Sequence, residues 1–297
     1  IVGGFKNVAK TEKVVTKIWN DASNQDGIRP ANVTLTINAN VTKNDLDNLG
    51  FAFLTVSDAL VPVASVTLNS NDAVTENGEL NTDKWSTTVE LPAKTLDGRS
   101  ITYTITENNT SEIDGKILLP STEDGKDYTV AYDQDNLTVT NSYSPETIDI
   151  PVEKKWEDSN NQDGLRPGSV TVQLKANGTV VAGKTAMLNE SNDWAATWTN
   201  LPKYAGSTTP IEYTVKETEV PTGYTVGYSV VEGVFTITNT HTPETITISG
   251  EKTWDDANNQ DGKRPGEITV NVMNGTTKVD SKTVKAGTDG KIGRAHV

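Results

Sequence analysis

Twelve residues recur three times along this chain: WNDASNQDGIRP from Trp19, WEDSNNQDGLRP from Trp156 and WDDANNQDGKRP from Trp254. Every copy keeps the Trp, an Asp two residues later, Asn-Gln-Asp-Gly and Arg-Pro in register. A lysine stands two residues before each Trp, at Lys17, Lys154 and Lys252. A repeat of this period implies one supersecondary unit per copy, so the fold of one unit is the fold of the chain.

The period sets the expected boundaries. A first unit covers residues 11–144 and a second residues 145–243, and each closes on a Pro-Glu-Thr linker, SYSPETIDI from Ser142 and THTPETITI from Thr240. A truncated third unit covers residues 244–290. Residues 1–10 are read as the remnant of a preceding unit and its linker, because VGGFKN (2–7) loosely repeats GVFTITN (233–239). Residues 292–297, IGRAHV, resemble translated read-through of a common sequencing adapter, and residues 291–297 are therefore read as a non-native tail. The first period exceeds the second by about 40 residues, which fall between Asn38 and Lys84 and between Asn108 and Lys126. Insertions of this kind belong in loops or hairpins at a rim.

Composition removes several function classes. With no cysteine and only His241 and His296, neither a disulfide framework nor a thiolate or histidine-rich metal site is available. A formal net charge of -14 argues against nucleic acid or an anionic membrane as partner. No apolar run approaches the roughly 20 residues of a membrane span, so no membrane insertion is expected. The opening IVGG resembles the mature start of trypsin-like proteases, but there is no GDSGG and no histidine before His241.

Within a unit the pattern is strand after strand. VTLTI (33–37), VTVQL (170–174), ITYTIT (101–106), IEYTVK (211–216), LTVTN (137–141) and FTITN (235–239) alternate apolar residues with polar ones, and Asn-Gly, Asp-Gly and Pro-Thr-Gly punctuate them. This predicts an all-β chain of tandem immunoglobulin-like antiparallel β-sandwich domains. The repeated Asp and Asn residues suggest a calcium loop at first sight. An EF-hand loop requires glycine at position six and glutamate at twelve, however, whereas counting from Asp158 puts Gly164 seventh and Ser169 twelfth. The motif is read as a structural turn whose Asn-Gln-Asp-Gly can tolerate the positive φ angles required, with Arg166 and Pro167 starting the next strand. Trp85, Trp194 and Trp198 sit at strand spacing and are read as core or rim packing.

The same two-residue period exposes three polar residues on the apolar face of each complete unit. Lys17 is in phase with Val15 and Trp19, Glu107 with Tyr103 and Ile105, and Asn141 with Leu137 and Val139. Lys154, Glu217 and Asn239 repeat the arrangement. A buried Lys or Glu is either paired or shifted towards its neutral form. One reading is a Lys-Glu salt bridge capped by the Asn amide, or strand ends already in solvent. The other is chemical: a neutral amine attacks the carboxamide while a protonated carboxyl shuttles the proton.

KKWEDSNNQDGLRP, YTVKETEVPTGY (213–224) and TITNTHTPET (236–245) closely resemble the B-type repeat domains of collagen-adhesin surface proteins of Gram-positive bacteria, the Cna B-type family. The resemblance spans nearly all of the second unit and the ends of the first. It implies β-sandwiches that form an autocatalytic Lys-Asn isopeptide bond without a cofactor, with Lys154, Glu217 and Asn239 in the second unit and Lys17, Glu107 and Asn141 in the first. Glu107 and Glu217 would be the proton shuttles. The first unit departs from the pattern at YTITENNTSEIDG, which lacks the Pro-x-Gly-Tyr turn. Lys252 has the lysine context, but its partners would lie past Gly290. The implied role is a stalk of an extracellular, cell-wall-anchored adhesin with neighbouring repeats as partners, host extracellular matrix being reached through a domain outside this sequence. The alternative is a ligand-binding module in which the enlarged first unit, with GFAFLTV at 50–56, contacts host matrix or carbohydrate.

Overall fold

The computed structural model describes residues 9–42, 44–45, 61–123, 125–285 and 295–296. The GFAFLTV run and the VGGFKN segment lie outside the described residues.

The first repeat contains β1 (Lys10–Asn20), β2 (Asn32–Ala39), β3 (Val61–Asn69), β4 (Ala73–Glu76), β5 (Glu79–Pro92), β6 (Tyr103–Glu107), β7 (Ser111–Ile113), β8 (Lys116–Leu119), β9 (Tyr128–Asp133) and β10 (Thr138–Ser142). Alternation decides which face each strand buries. In β2, Val33, Leu35 and Ile37 are buried, while Thr34 faces outward and bonds Thr67 across the sheet at 3.0 Å. The strands form two sheets, β4-β5-β1-β10-β9-β8-β7 and β3-β2-β6. Val15, Trp19 and Val139 from the first sheet and Leu35, Ile37 and Ile105 from the second share one core, the expected sandwich. The two insertions carry the hairpins β4-β5, turning at Asn77-Gly78, and β7-β8, turning at Asp114-Gly115. Both residues of each turn have positive φ, the geometry that matches strand twist. One pairing departs from the antiparallel expectation: β1 and β10 run parallel, with Lys17 opposite Val139 and Trp19 opposite Asn141.

The second repeat contains β11 (Thr147–Glu157), β12 (Ser169–Ala176), β13 (Thr179–Asn189), β14 (Ala195–Pro202), β15 (Tyr213–Glu217), β16 (Thr225–Val231) and β17 (Val234–Thr240). They form the sheets β14-β11-β17-β16 and β13-β12-β15. In the third copy β18 (Ser249–Gly250) and β19 (Glu267–Asn274) are followed by β20 (Thr277–Lys285) and β21 (Ala295–His296). β19 pairs with β20, and β18 with β21. Two compact units divide the chain: Ile1–Lys154 with Gly168–Glu219 and Tyr228–Ile237, and Lys155–Pro167 with Val220–Gly227 and Thr238–Val297. The division runs through the second repeat, whose β11 and β17 contribute to both.

The repeated motif is a turn, and its positive φ values fall on the Asn and Gly of Asn-Gln-Asp-Gly and on the two residues before it. They lie on the three residues before the Gln, at 53°, 57° and 60° for Ala22, Ser23 and Asn24, and on Gly27 at 68°. The same positions are left-handed in the other two copies. Gly27 also meets the backbone of Ser207, where an added Cβ would stand 2.4 Å from Cα, while the equivalent Gly164 has open space. Gly164→Ala should therefore lose about 1 kcal/mol through its φ alone. Gly27→Ala should lose more, because Ser207 must also move. Denaturant unfolding of the two single variants checks this, and equal losses would refute the contact.

Candidate functional site: a buried amine, carboxyl and carboxamide

The two-residue period of β1 turns Lys17 inward between Val15 and Trp19, and the Lys17 side chain is fully buried. β6 faces it from the opposite sheet and buries Glu107 by the same parity. Lys17 Nζ lies 3.5 Å from Glu107 Oε2 and 4.5 Å from the centre of the Trp19 ring. Asn141, buried on β10, donates from Nδ2 to Glu107 Oε1 at 3.3 Å, while its Oδ1 is buried without a partner. One carboxyl thus holds the amine on one oxygen and the carboxamide on the other.

Glu107 is itself positioned. Among the described residues no strand lies beside the outer edge of β6. Instead the Gln134 amide brackets Ile105, accepting its N–H at 2.6 Å and donating to its carbonyl at 3.1 Å. The Tyr132 hydroxyl accepts the Glu107 N–H at 3.2 Å. These contacts tie β6 to the facing sheet at the height of the site.

Burial sets the protonation. Desolvation lowers Lys17 to about 7 against the pull of Glu107, and desolvation raises Glu107 against the pull of Lys17 and Asn141. Both shifts favour the neutral pair, a free amine beside a protonated carboxyl. That set contains a nucleophile, an acyl carbon and a proton carrier.

In the second repeat the Lys154 and Glu217 side chains are fully buried, with Nζ 3.7 Å from Oε2. Lys154 Nζ also donates to the Ile237 carbonyl at 3.4 Å, and burial lowers the amine to about 8. Asn239 is fully buried on β17, which neighbours β11. The Tyr228 hydroxyl meets the Glu217 backbone as Tyr132 meets that of Glu107. Lys252 is exposed, bonding the Thr253 carbonyl and lying 4.1 Å from the Trp254 ring centre.

The turn holds a second polar cluster that period rules do not find. Asp21 is buried and accepts from Arg29 Nε at 3.0 Å, from the Asn24 N–H at 3.0 Å and from the Tyr128 hydroxyl at 2.9 Å. Asn24 Oδ1 accepts the Arg29 N–H at 2.9 Å, and the guanidinium lies 5.0 Å from the Trp19 ring centre. Asp158 repeats this with Arg166, Asn161 and Tyr224, and Asp256 repeats the Arg264 and Asn259 parts. The signal was present in the sequence as an Asp and an Arg in fixed register in all three copies. Trp85 and Trp198 are buried strand residues, as their spacing suggested, whereas Trp194 is half-buried in the turn before β14 with a φ of 57°.

Among the described residues no group of three or more His, Cys, Asp or Glu is placed to hold a metal ion, and no helix is long and apolar enough to cross a membrane. Tandem β-sandwich repeats, the first with Lys17, Glu107 and Asn141 buried together on its first, middle and last strands, define the class. The chain belongs to the Cna protein B-type domain family, which matches residues 14–50, 150–240 and 248–293. It is 36% identical over 292 residues to a collagen adhesin of Staphylococcus aureus, covering 96% of this chain and 20% of that protein's length. The crystal structure of two B repeat units of the S. aureus collagen-binding protein is similar over 97% of this chain and 68% of its own, at 32% identity and a TM-score of 0.43. A single B repeat unit of the same protein is similar over 79% of this chain and 100% of its own, at 31% identity and a TM-score of 0.32.

Asp21→Ala takes away the buried carboxylate of Arg29 and leaves it the partly exposed Asp83 at 2.6 Å, which should cost about 1–3 kcal/mol. Burial pushes the Asp21 carboxyl up, but its bonds to Arg29, Asn24 and Tyr128 carry it below its ordinary 3.8. Its contribution is therefore present above that value and lost as pH falls through the lower folded value. Wild type and variant should converge in stability in acid, as read by urea unfolding across pH.

Proposed function

We propose that the chain is part of the stalk of a bacterial cell-surface adhesin, extracellular and wall-anchored, and that each complete repeat locks itself with one isopeptide bond, Lys17–Asn141 and Lys154–Asn239. The observation that carries this reading is the single Glu107 carboxyl holding both Lys17 Nζ and the Asn141 amide. The neutral amine of Lys17 attacks Asn141 Cγ. A half-turn of the amide would bring Oδ1 to the protonated Glu107, which donates to it as negative charge develops there. The amine proton returns through the same carboxyl to Nδ2, the Cγ–Nδ2 bond breaks, and one ammonia leaves for each amide formed. The constellation is consumed by its own reaction, so the repeat is a single-turnover catalyst and a structural part.

For the second repeat the support is the buried Lys154–Glu217 pair, together with the burial of Asn239 at the equivalent sequence position. Lys252 is exposed, and no buried carboxyl pairs with it among the described residues. The kinship with a collagen adhesin supports the surface role.

A first-to-last crosslink closes a long loop and, like a disulfide, should contribute about 4 kcal/mol by restricting the unfolded chain. It also carries tension past residues 18–140. Intact mass should show the loss of two ammonia molecules. Glu107→Ala and Glu217→Ala should each restore one, and a wild-type mass with no loss would overturn the reading. Single-molecule pulling should give an extension that omits residues 18–140, whereas extension to full contour length would exclude the bond in the first repeat.

A further inference from the structure

The aspartates of Asn-Gln-Asp-Gly take no part in either cluster described so far. Asp26 is buried, and its Oδ2 accepts both the Tyr143 hydroxyl and the Glu146 backbone N–H, each at 3.0 Å. Asp163 does the same work in the second copy. Its Oδ2 accepts the Glu244 N–H at 3.0 Å and faces His241 Nε2 at 3.0 Å. Tyr143-Ser-Pro-Glu146 and His241-Thr-Pro-Glu244 are equivalent linker segments, so each turn grips the linker that leaves its own unit. The first grip is reinforced. The Gln25 carbonyl accepts the Gly206 N–H at 2.7 Å, and Glu146 pairs with Lys126 at 2.9 Å and Lys203 at 2.7 Å.

The two grips differ in the ring that faces the aspartate. His241 Nδ1 lies 2.7 Å from the Gly223 carbonyl and Nε2 3.0 Å from the Asp163 carboxylate. Both neighbours only accept. A neutral imidazole has one N–H and satisfies one of them, whereas the imidazolium satisfies both. The other groups around the ring do not oppose the charge. The Tyr224 ring lies 5.3 Å away with its hydroxyl given to Asp158, Asp158 is held by Arg166, and Glu244 shares Asp163 Oδ2 through its N–H. The Glu157 carbonyl accepts the His241 backbone N–H.

We propose that the aspartate of the repeated turn is the binding site for the following linker, and that the grip behind the second unit closes on protonation of His241 while the grip on Tyr143 is indifferent to pH in this range. The bonds to Asp163 and then to the Gly223 carbonyl raise His241 above its ordinary 6.5. The closed state is therefore fully present below 6.5 and is lost as pH rises through the folded value. Burial, with the bond to Asp26, pushes Tyr143 up to about 12, so its hydroxyl keeps its proton throughout.

The test uses the full chain carrying His296→Gln, which leaves one imidazole to observe by NMR, with amide-exchange protection followed at Glu146 and Glu244. His241 should titrate above 6.5 with both ring N–H groups present in acid. Each pKa unit gained should appear as a roughly tenfold loss of Glu244 protection from the acid to the alkaline limb. Glu146 protection should not change. His241→Tyr, which copies the first joint, should make Glu244 protection independent of pH. Asp163→Ala should return His241 towards 6.5 and leave Glu244 unprotected throughout. A His241 titration at or below 6.5, equal Glu244 protection on both limbs, or pH dependence surviving His241→Tyr would each overturn the proposal. None of these readouts depends on whether the isopeptide bonds form.

Discussion

A lysine and a glutamate sealed with no exposure between two sheets set the terms for the rest of each repeat. Neither group is tolerable there alone, since an unpaired buried charge costs several kcal/mol. Each is admissible because the other stands within reach and, in the first repeat, because Lys17 and Glu107 both drift towards their neutral forms. Strand register is thereby specified twice. A one-residue slip of β1 would expose Val15 and Trp19, as in any half-buried strand, and would also carry the Lys17 amine out of reach of Glu107. The Gln134 amide and the Tyr132 hydroxyl hold the facing strand against the same slip.

The turn after β1 depends on charge in a different way. Three consecutive left-handed residues cost about 1–2 kcal/mol each, and local propensity alone would not keep Ala22, Ser23 and Asn24 there. Charge-assisted bonds from Arg29 to Asp21, and the Asn24 side chain on the Arg29 N–H, offset that strain. Tyr128 then ties the turn to β9, so the strand bearing the amine is anchored at its downstream end. The invariant Trp completes the arrangement as a surface for the guanidinium and a wall beside Lys17.

Much of this was legible because the decisive rule is local. Alternation across a strand is visible in five residues, and it placed Lys17, Glu107 and Asn141 on the apolar face without knowledge of which strands meet. It could not disclose that β1 and β10 are parallel neighbours, since they are separated by the whole unit. Nor could it pair Asp21 with Arg29, because a left-handed turn has no side-chain period to read. Positive φ was legible for the Asn and Gly of Asn-Gln-Asp-Gly, residue types that tolerate it, but it also extends upstream to Ala22 and Ser23, in the turn whose Asn24 N–H the Asp21 carboxylate holds. The partners of Asp26 and Asp163 belong to linkers distant in sequence, and only the folded chain brings them together.

The parallel pairing of β1 with β10 bears on how such a chain can change over generations. A unit whose first and last strands run the same way takes the chain in at one end and releases it at the other. Copying its gene segment in frame adds another unit without turning the chain back on itself or opening the neighbouring core. Copy number then becomes a variable that can alter without redesigning any strand.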